Sequence, residues 1–208
     1  MTYAQMVQFL KVCLDEIGGV AVFYNDPADY DDALSEGQRG VLMELIGLNE
    51  VERYRALVVR ESIADGGTLT HHCVRPESVY DAANGLTANL RSEADFNTYF
   101  NVTTPDFEQA YVANDTLHTQ PGGGTYEIVY IREPAAIGSG QTSELSPVVH
   151  ELVCLHALQI LLHKDIDASG LEMIEAYRNK LEVYKAGKKP PEQTAQGFQP
   201  VDIPYSQR

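Results

Sequence analysis

The sequence predicts a mainly α protein: a small helical bundle with an inserted small antiparallel β-sheet and an extended C-terminal arm. Three observations predict it. Apolar residues recur at helical spacing in the first sixty or so residues and again from Pro147 to about residue 186. Between residues 63 and 146 that period disappears, and short alternating runs stand between Gly- and Asn-rich turns. After Gly187 the chain turns polar and holds four of its ten prolines. The organisation expected is therefore one helical domain over residues 1–186, its β-rich insert at about 63–146, and an arm over 187–208.

Each element has a local cause. Thr2 and Gln5 have capping-box spacing, and Met6, Val7, Leu10, Cys13, Leu14 and Ile17 then make one apolar face. Gly18-Gly19 predicts its end. The acidic stretch Asp26-Pro-Ala-Asp-Tyr-Asp-Asp32 precedes a second helix, about Ala33 to Leu48, with Leu34, Val41, Leu45 and Leu48 on one side. Those acids lack the glycine and distal glutamate of a calcium loop. A third helical stretch runs through Val51, Tyr54, Leu57 and Val58, although Val58-Val59 also suits a strand. Residues 109–113 and 116–120 flank Asn114-Asp115 as a β-hairpin. Tyr126 to Ile131 alternates as a strand. Ser146-Pro147 is a helix start, and the helix to about His163 is apolar on most sides, which predicts the central buried helix. A last helix spans roughly Leu171 to Ala186, with Arg178, Lys180 and Lys185 toward its C-terminal end.

Charge excludes several roles. Thirty acids against fifteen bases leave a net charge of −15. A free-standing nucleic-acid binder needs a basic face, and an anionic membrane would repel this chain. The longest apolar stretch, Leu152 to Leu162, is too short to span a bilayer, and no basic leader with an apolar block opens the sequence. Cys13, Cys73 and Cys154 are odd in number and far apart, so buried small hydrophobes in a reducing compartment are expected.

No motif carries chemistry. His150-Glu151 lacks a second histidine four residues on; His156 is six later, and His163 seven beyond that. Core or interface histidines are the reading for them, and His71-His72 has no ligand spacing. Gly122-Gly-Gly124 lacks the lysine and Ser/Thr of a phosphate loop. Catalytic residues, metal sites and cofactors are therefore all expected to be none.

The order of signals matters more than any single one. A helix holds Asp32-Ala-Leu-Ser-Glu-Gly-Gln-Arg39, and a strand exits through Ile128-Val-Tyr-Ile-Arg-Glu-Pro134. An apolar helix then follows Leu145-Ser-Pro-Val-Val-His-Glu-Leu. This order resembles the head-to-tail adaptor (connector) proteins of tailed bacteriophages, including the tail accessory factors of short-tailed phages. The resemblance implies helical bundles with a small β-insert, assembled as a twelve-fold ring beneath the portal protein and joined to a tail or nozzle protein. DNA would pass through without specific binding, and the chain, made in the host cytoplasm, would reside in the virion at the head–tail interface. It further implies that the C-terminal segment reaches onto the portal. Lys185, Lys188 and Lys189 with Phe198, Val201, Ile203 and Tyr205 are the expected contacts there. Residues 62–149 carry eleven acids and three bases, so Asp95, Asp106, Glu108 and Asp115 are the candidates for an acidic lumen or rim. Rival expectations are another neck or tail component, such as a tail terminator or minor capsid protein, a partner-binding module such as an assembly chaperone, and a small cytoplasmic enzyme with an unrecognised site.

Overall fold

A computed structural model describes residues 1–16, 26–99, 109–120, 122–138 and 140–164, together with Asn179 and Val183. Helix α1 spans Tyr3–Glu16 and α2 spans Pro27–Gly47. The single turn α3 (Val51–Tyr54) and a 3-10 turn lead into strand β1, Val58–Ala64. Strands β2 (Cys73–Asp81) and β3 (Leu86–Leu90) precede α4 (Glu93–Tyr99). Strands β4 (Gln109–Ala113), β5 (Thr116–Gln120) and β6 (Thr125–Arg132) complete the sheet, and α5 (His150–Lys164) returns to the helices.

The expected fold class is overturned. The chain is not a mainly α bundle with a small antiparallel sheet; it pairs a helical layer with a six-stranded mixed sheet of order β1-β6-β2-β3-β4-β5. The sheet is mixed because β3 and β4 run parallel, while the remaining pairs are antiparallel. Two local causes hid its size. The β-branched pair Val58-Val59 starts a strand where helical spacing continued, so the sheet begins before residue 63. Strand β2 contains Pro76 between two register shifts, which breaks its alternation in the text. The proline is tolerated because β3 pairs only with Val79 to Asp81, so Pro76 has β6 alone as a neighbour.

Several expectations hold. Thr2 and Gln5 exchange their hydrogen bonds at the start of α1: the Thr2 amide donates to Gln5 Oε1 at 2.8 Å and the Gln5 amide to Thr2 Oγ1 at 3.3 Å. The hairpin at 109–120 forms, and Asn114 and Asp115 both adopt positive φ (49° and 59°), the twist of a type I′ turn. Helix α5 is the central helix, with Val153, Cys154, Ala157 and Leu161 fully buried. Helix α2 starts six residues before the expected Ala33. Asp26 accepts from the Ala28 amide at 3.0 Å with Pro27 in the first helical position, so the acids lie within the helix. Gly18-Gly19 and the arm over 187–208 lie outside the described residues, as does the expected last helix apart from Asn179 and Val183, both helical.

The two layers have separate interiors. Met6, Leu10, Leu34, Leu45, Val153 and Leu158 belong to the helical core, and Ile131 joins it from the outer face of β6. Ile128 and Tyr130, facing the other way, pack with Val79, Ala110 and Leu117 inside the sheet. That second interior exists because the sheet curls. The segment after β1 pairs with β5 at the far edge: Gly66 donates to the Leu117 carbonyl (2.8 Å), Leu117 to Gly67 (3.0 Å) and Leu69 to Asp115 (2.7 Å).

Candidate assembly surface

Helix α2 meets the exit of β6 and the segment that leads to α5 in one seam. Gln38 on α2 is fully buried; its Nε2 donates to the Ala135 carbonyl (3.0 Å), and its Oε1 accepts from the Glu144 amide (2.8 Å). Ser35, one turn earlier, accepts from the Ile137 amide at 2.9 Å and donates to the Asp31 carbonyl. Arg39 reaches both Glu36 and Glu133. Across the seam, Arg132 grips Glu144 with both guanidinium nitrogens, at 2.6 and 3.1 Å. That hydrogen bonding holds the Glu144 carboxyl below the usual carboxylate range against the opposing effect of burial. Helix α2, the exit of β6 and the approach to α5 are thus tied by polar groups, of which Gln38 and Ser35 would otherwise be buried without partners.

Helix α5 approaches α2 through glycines. A Cβ at Gly37 would stand 2.7 Å from the Val153 carbonyl oxygen, and one at Gly40 would enter the His156 ring. Burial lowers the His156 pKa, so the imidazole is disposed to stay neutral in this contact. His150 is also a core histidine, its Nε2 bonding the Leu145 carbonyl at 2.9 Å.

Beside the seam lies a groove of about 330 Å³ between α2 and the ends of β2 and β6. Leu42, Met43, Val74, Cys73 and Pro134 give it apolar walls. Met43 is 58% exposed there, although it stands on a helix whose other large apolar residues are mostly buried. The charges on its rim are matched within the chain, Arg39 by Glu133 and His72 by Asp115 (2.9 Å). Burial pushes the Cys73 thiol up to about 11, which makes it a poor nucleophile at neutral pH. Sequence reasoning missed this groove; the one signal was Met43, an apolar residue beside the buried stripe of α2.

Among the expected rim acids, Asp115 and Asp95 are described. Asp115 sits in the hairpin turn and turns back onto the chain, accepting from the Cys73 amide at 2.7 Å and bonding His72. Those bonds lower its pKa, and the His72 pKa rises in return. Asp95 exchanges hydrogen bonds with Ser92 at the start of α4, an exposed helix cap. Asp106 and Glu108 lie outside the described residues, as do Lys185, Lys188, Lys189, Phe198, Val201, Ile203 and Tyr205. Three other acids missed in the sequence close the sheet. Asp65 accepts from the Thr119 amide (2.8 Å), Glu61 from the Thr70 amide (3.0 Å), and Asp81 caps the β2–β3 turn through the Ala83 amide (2.8 Å).

Among the described residues no group of three or more His, Cys, Asp or Glu could hold a metal ion, and no helix is long and apolar enough to cross a membrane. No protein-family model and no curated protein matches the chain.

Proposed function

We propose that this chain is a structural subunit of a phage virion, an adaptor that assembles as a ring, most simply of twelve copies, between the portal and the tail. One observation carries the reading. Gln38 and Ser35 of the motif helix are tied by buried hydrogen bonds to Ala135, Ile137 and Glu144, in the segment that links β6 to α5 about a hundred residues away. That tie between segments distant in sequence supports reading their order as one folded unit. The net charge of −15 supports it as well, because a conduit for DNA that carries negative charge repels the phosphate backbone it must let slide. In this reading the arm over 187–208 reaches the portal through Lys185, Lys188 and Lys189 and through Phe198, Val201, Ile203 and Tyr205. Asp95, Asp106 and Glu108 face the lumen or rim, and a tail or nozzle protein takes the opposite side. Multivalent docking of many arms raises the affinity of each weak contact.

Mass measurement of the purified chain with and without portal tests this. The expected result is a discrete ring on portal, lost when residues 190–208 are deleted while the remaining chain stays folded. Failure of the full chain to associate with portal would overturn the proposal.

A further inference from the structure

The groove beside α2 and the β2–β3 hairpin tip stand at opposite ends of one strand. Cys73 and Val74 open β2 at the groove, and Tyr80 and Asp81 close it at the tip. Eight residue steps along a strand separate them by about 26 Å. At the tip two large apolar side chains stand out, Tyr80 39% and Leu86 45% exposed, with Ala82, Ala83, Asn84 and Gly85 exposed between them. A contact that closes into a ring needs two different patches on each subunit that do not overlap, one fitting the other. We infer that the hairpin tip of one copy seats in the groove of the next, so that neighbouring copies line up head to tail along β2.

Charge favours this occupant. Copies with a net charge of −15 repel one another, so their contact must fall where charge is absent or already matched. From Ser78 to Leu90 the chain carries one charged residue, Asp81, and its carboxylate is engaged by Ala83 and Asn84 within the turn. The groove's rim charges are matched inside its own subunit. The apolar walls around Met43 then gain a cover whose own segment brings no free charge, the nearest further acid being Glu127 opposite Tyr80 on β6.

The inference rests on the ring reading, and the test separates the two. The full chain with Cys13→Ser and Cys73→Ser, which leaves only the buried Cys154, carries Met43→Cys and Leu86→Cys, is mixed with portal and is treated with a short bismaleimide. Head-to-tail contact gives a ladder of covalent multimers on a denaturing gel, and neither single variant gives a ladder. Met43→Glu and Leu86→Glu, both at exposed positions, each raise the subunit concentration needed for half-assembly by at least about tenfold. A 1:1 mixture of these two variants gives dimers, because one intact tip still meets one intact groove. A ring that forms without the ladder, or dimers from either variant with one added cysteine, overturns the head-to-tail contact and leaves the ring reading standing. Absence of any ring overturns both.

Discussion

The helical layer and the curled sheet are held by different physics. Around α5 the contacts are apolar and dense, and glycines let α2 approach so closely that no side chain fits between. The sheet has a smaller interior, and its curl is closed by acidic side chains: Asp115 takes the Cys73 amide, Asp65 the Thr119 amide and Glu61 the Thr70 amide. Near Glu61, burial raises the carboxyl pKa, but the Thr70 and Tyr130 hydrogen bonds outweigh it and the net shift is downward. A carboxylate can stand in for a strand partner where the backbone cannot reach, which is how an acidic chain puts part of its charge to structural use. The lesson is that the two regions fail for different reasons, one when volume is removed and the other when a hydrogen-bond acceptor is removed.

The largest effect expected is on the helical side. Leu158 is 1% exposed on α5, and Leu158→Ala should cost about 2–5 kcal/mol by leaving a cavity. Chemical denaturation measures the loss, and amide exchange shows where it falls. Loss of protection in α2 and α5 with β6 unchanged would sharpen the contrast between the layers; equal loss in both would break it. Next comes the seam. Gln38→Leu strips the Ala135 carbonyl and the Glu144 amide of their partner and should cost about 1–3 kcal/mol by the same measurement. No loss would show that the seam does not couple the layers. Asp115→Ala should cost about 1–2 kcal/mol, with faster exchange of the Cys73 and Leu69 amides as its local sign. The smallest effect is the pH dependence of the His72–Asp115 pair. The raised His72 pKa means its contribution is full below the ordinary histidine value, about 6.5, and is lost as pH rises through the higher folded value. The lowered Asp115 pKa means its share is present above about 3.9 and is lost as pH falls through the folded value. His72 is 61% exposed in its side chain, so solvent screening holds the effect below about 1 kcal/mol. Stability of His72→Gln should match the parent at pH 9 and fall slightly below it at pH 5.5; a gap that persists at pH 9 would place the contribution elsewhere.

Features with local causes were legible in the sequence. The Thr2–Gln5 cap, the Asn114-Asp115 turn and the apolar helix after Ser146-Pro147 each arise from residues within a few positions of one another. The start of α2 was also written locally, in Asp26-Pro27, although the acids behind it masked the signal. What remained hidden was long-range. Strand β2 exists only because β6 and β3 flank it, and neither its proline nor its register shifts announce a strand. Gln38 reads as an ordinary polar helix residue until Ala135 and Glu144 close on it from about a hundred residues away.

The sequence by itself therefore determined helices α1 and α5, the hairpin and the charge, but not α4 inside the β-rich stretch, because capping, periodicity and turn chemistry act over a few residues. Only the tertiary structure decided the width of the sheet, its curl, the seam and the groove. Each of these depends on which distant groups find one another when the chain buries its polar backbone.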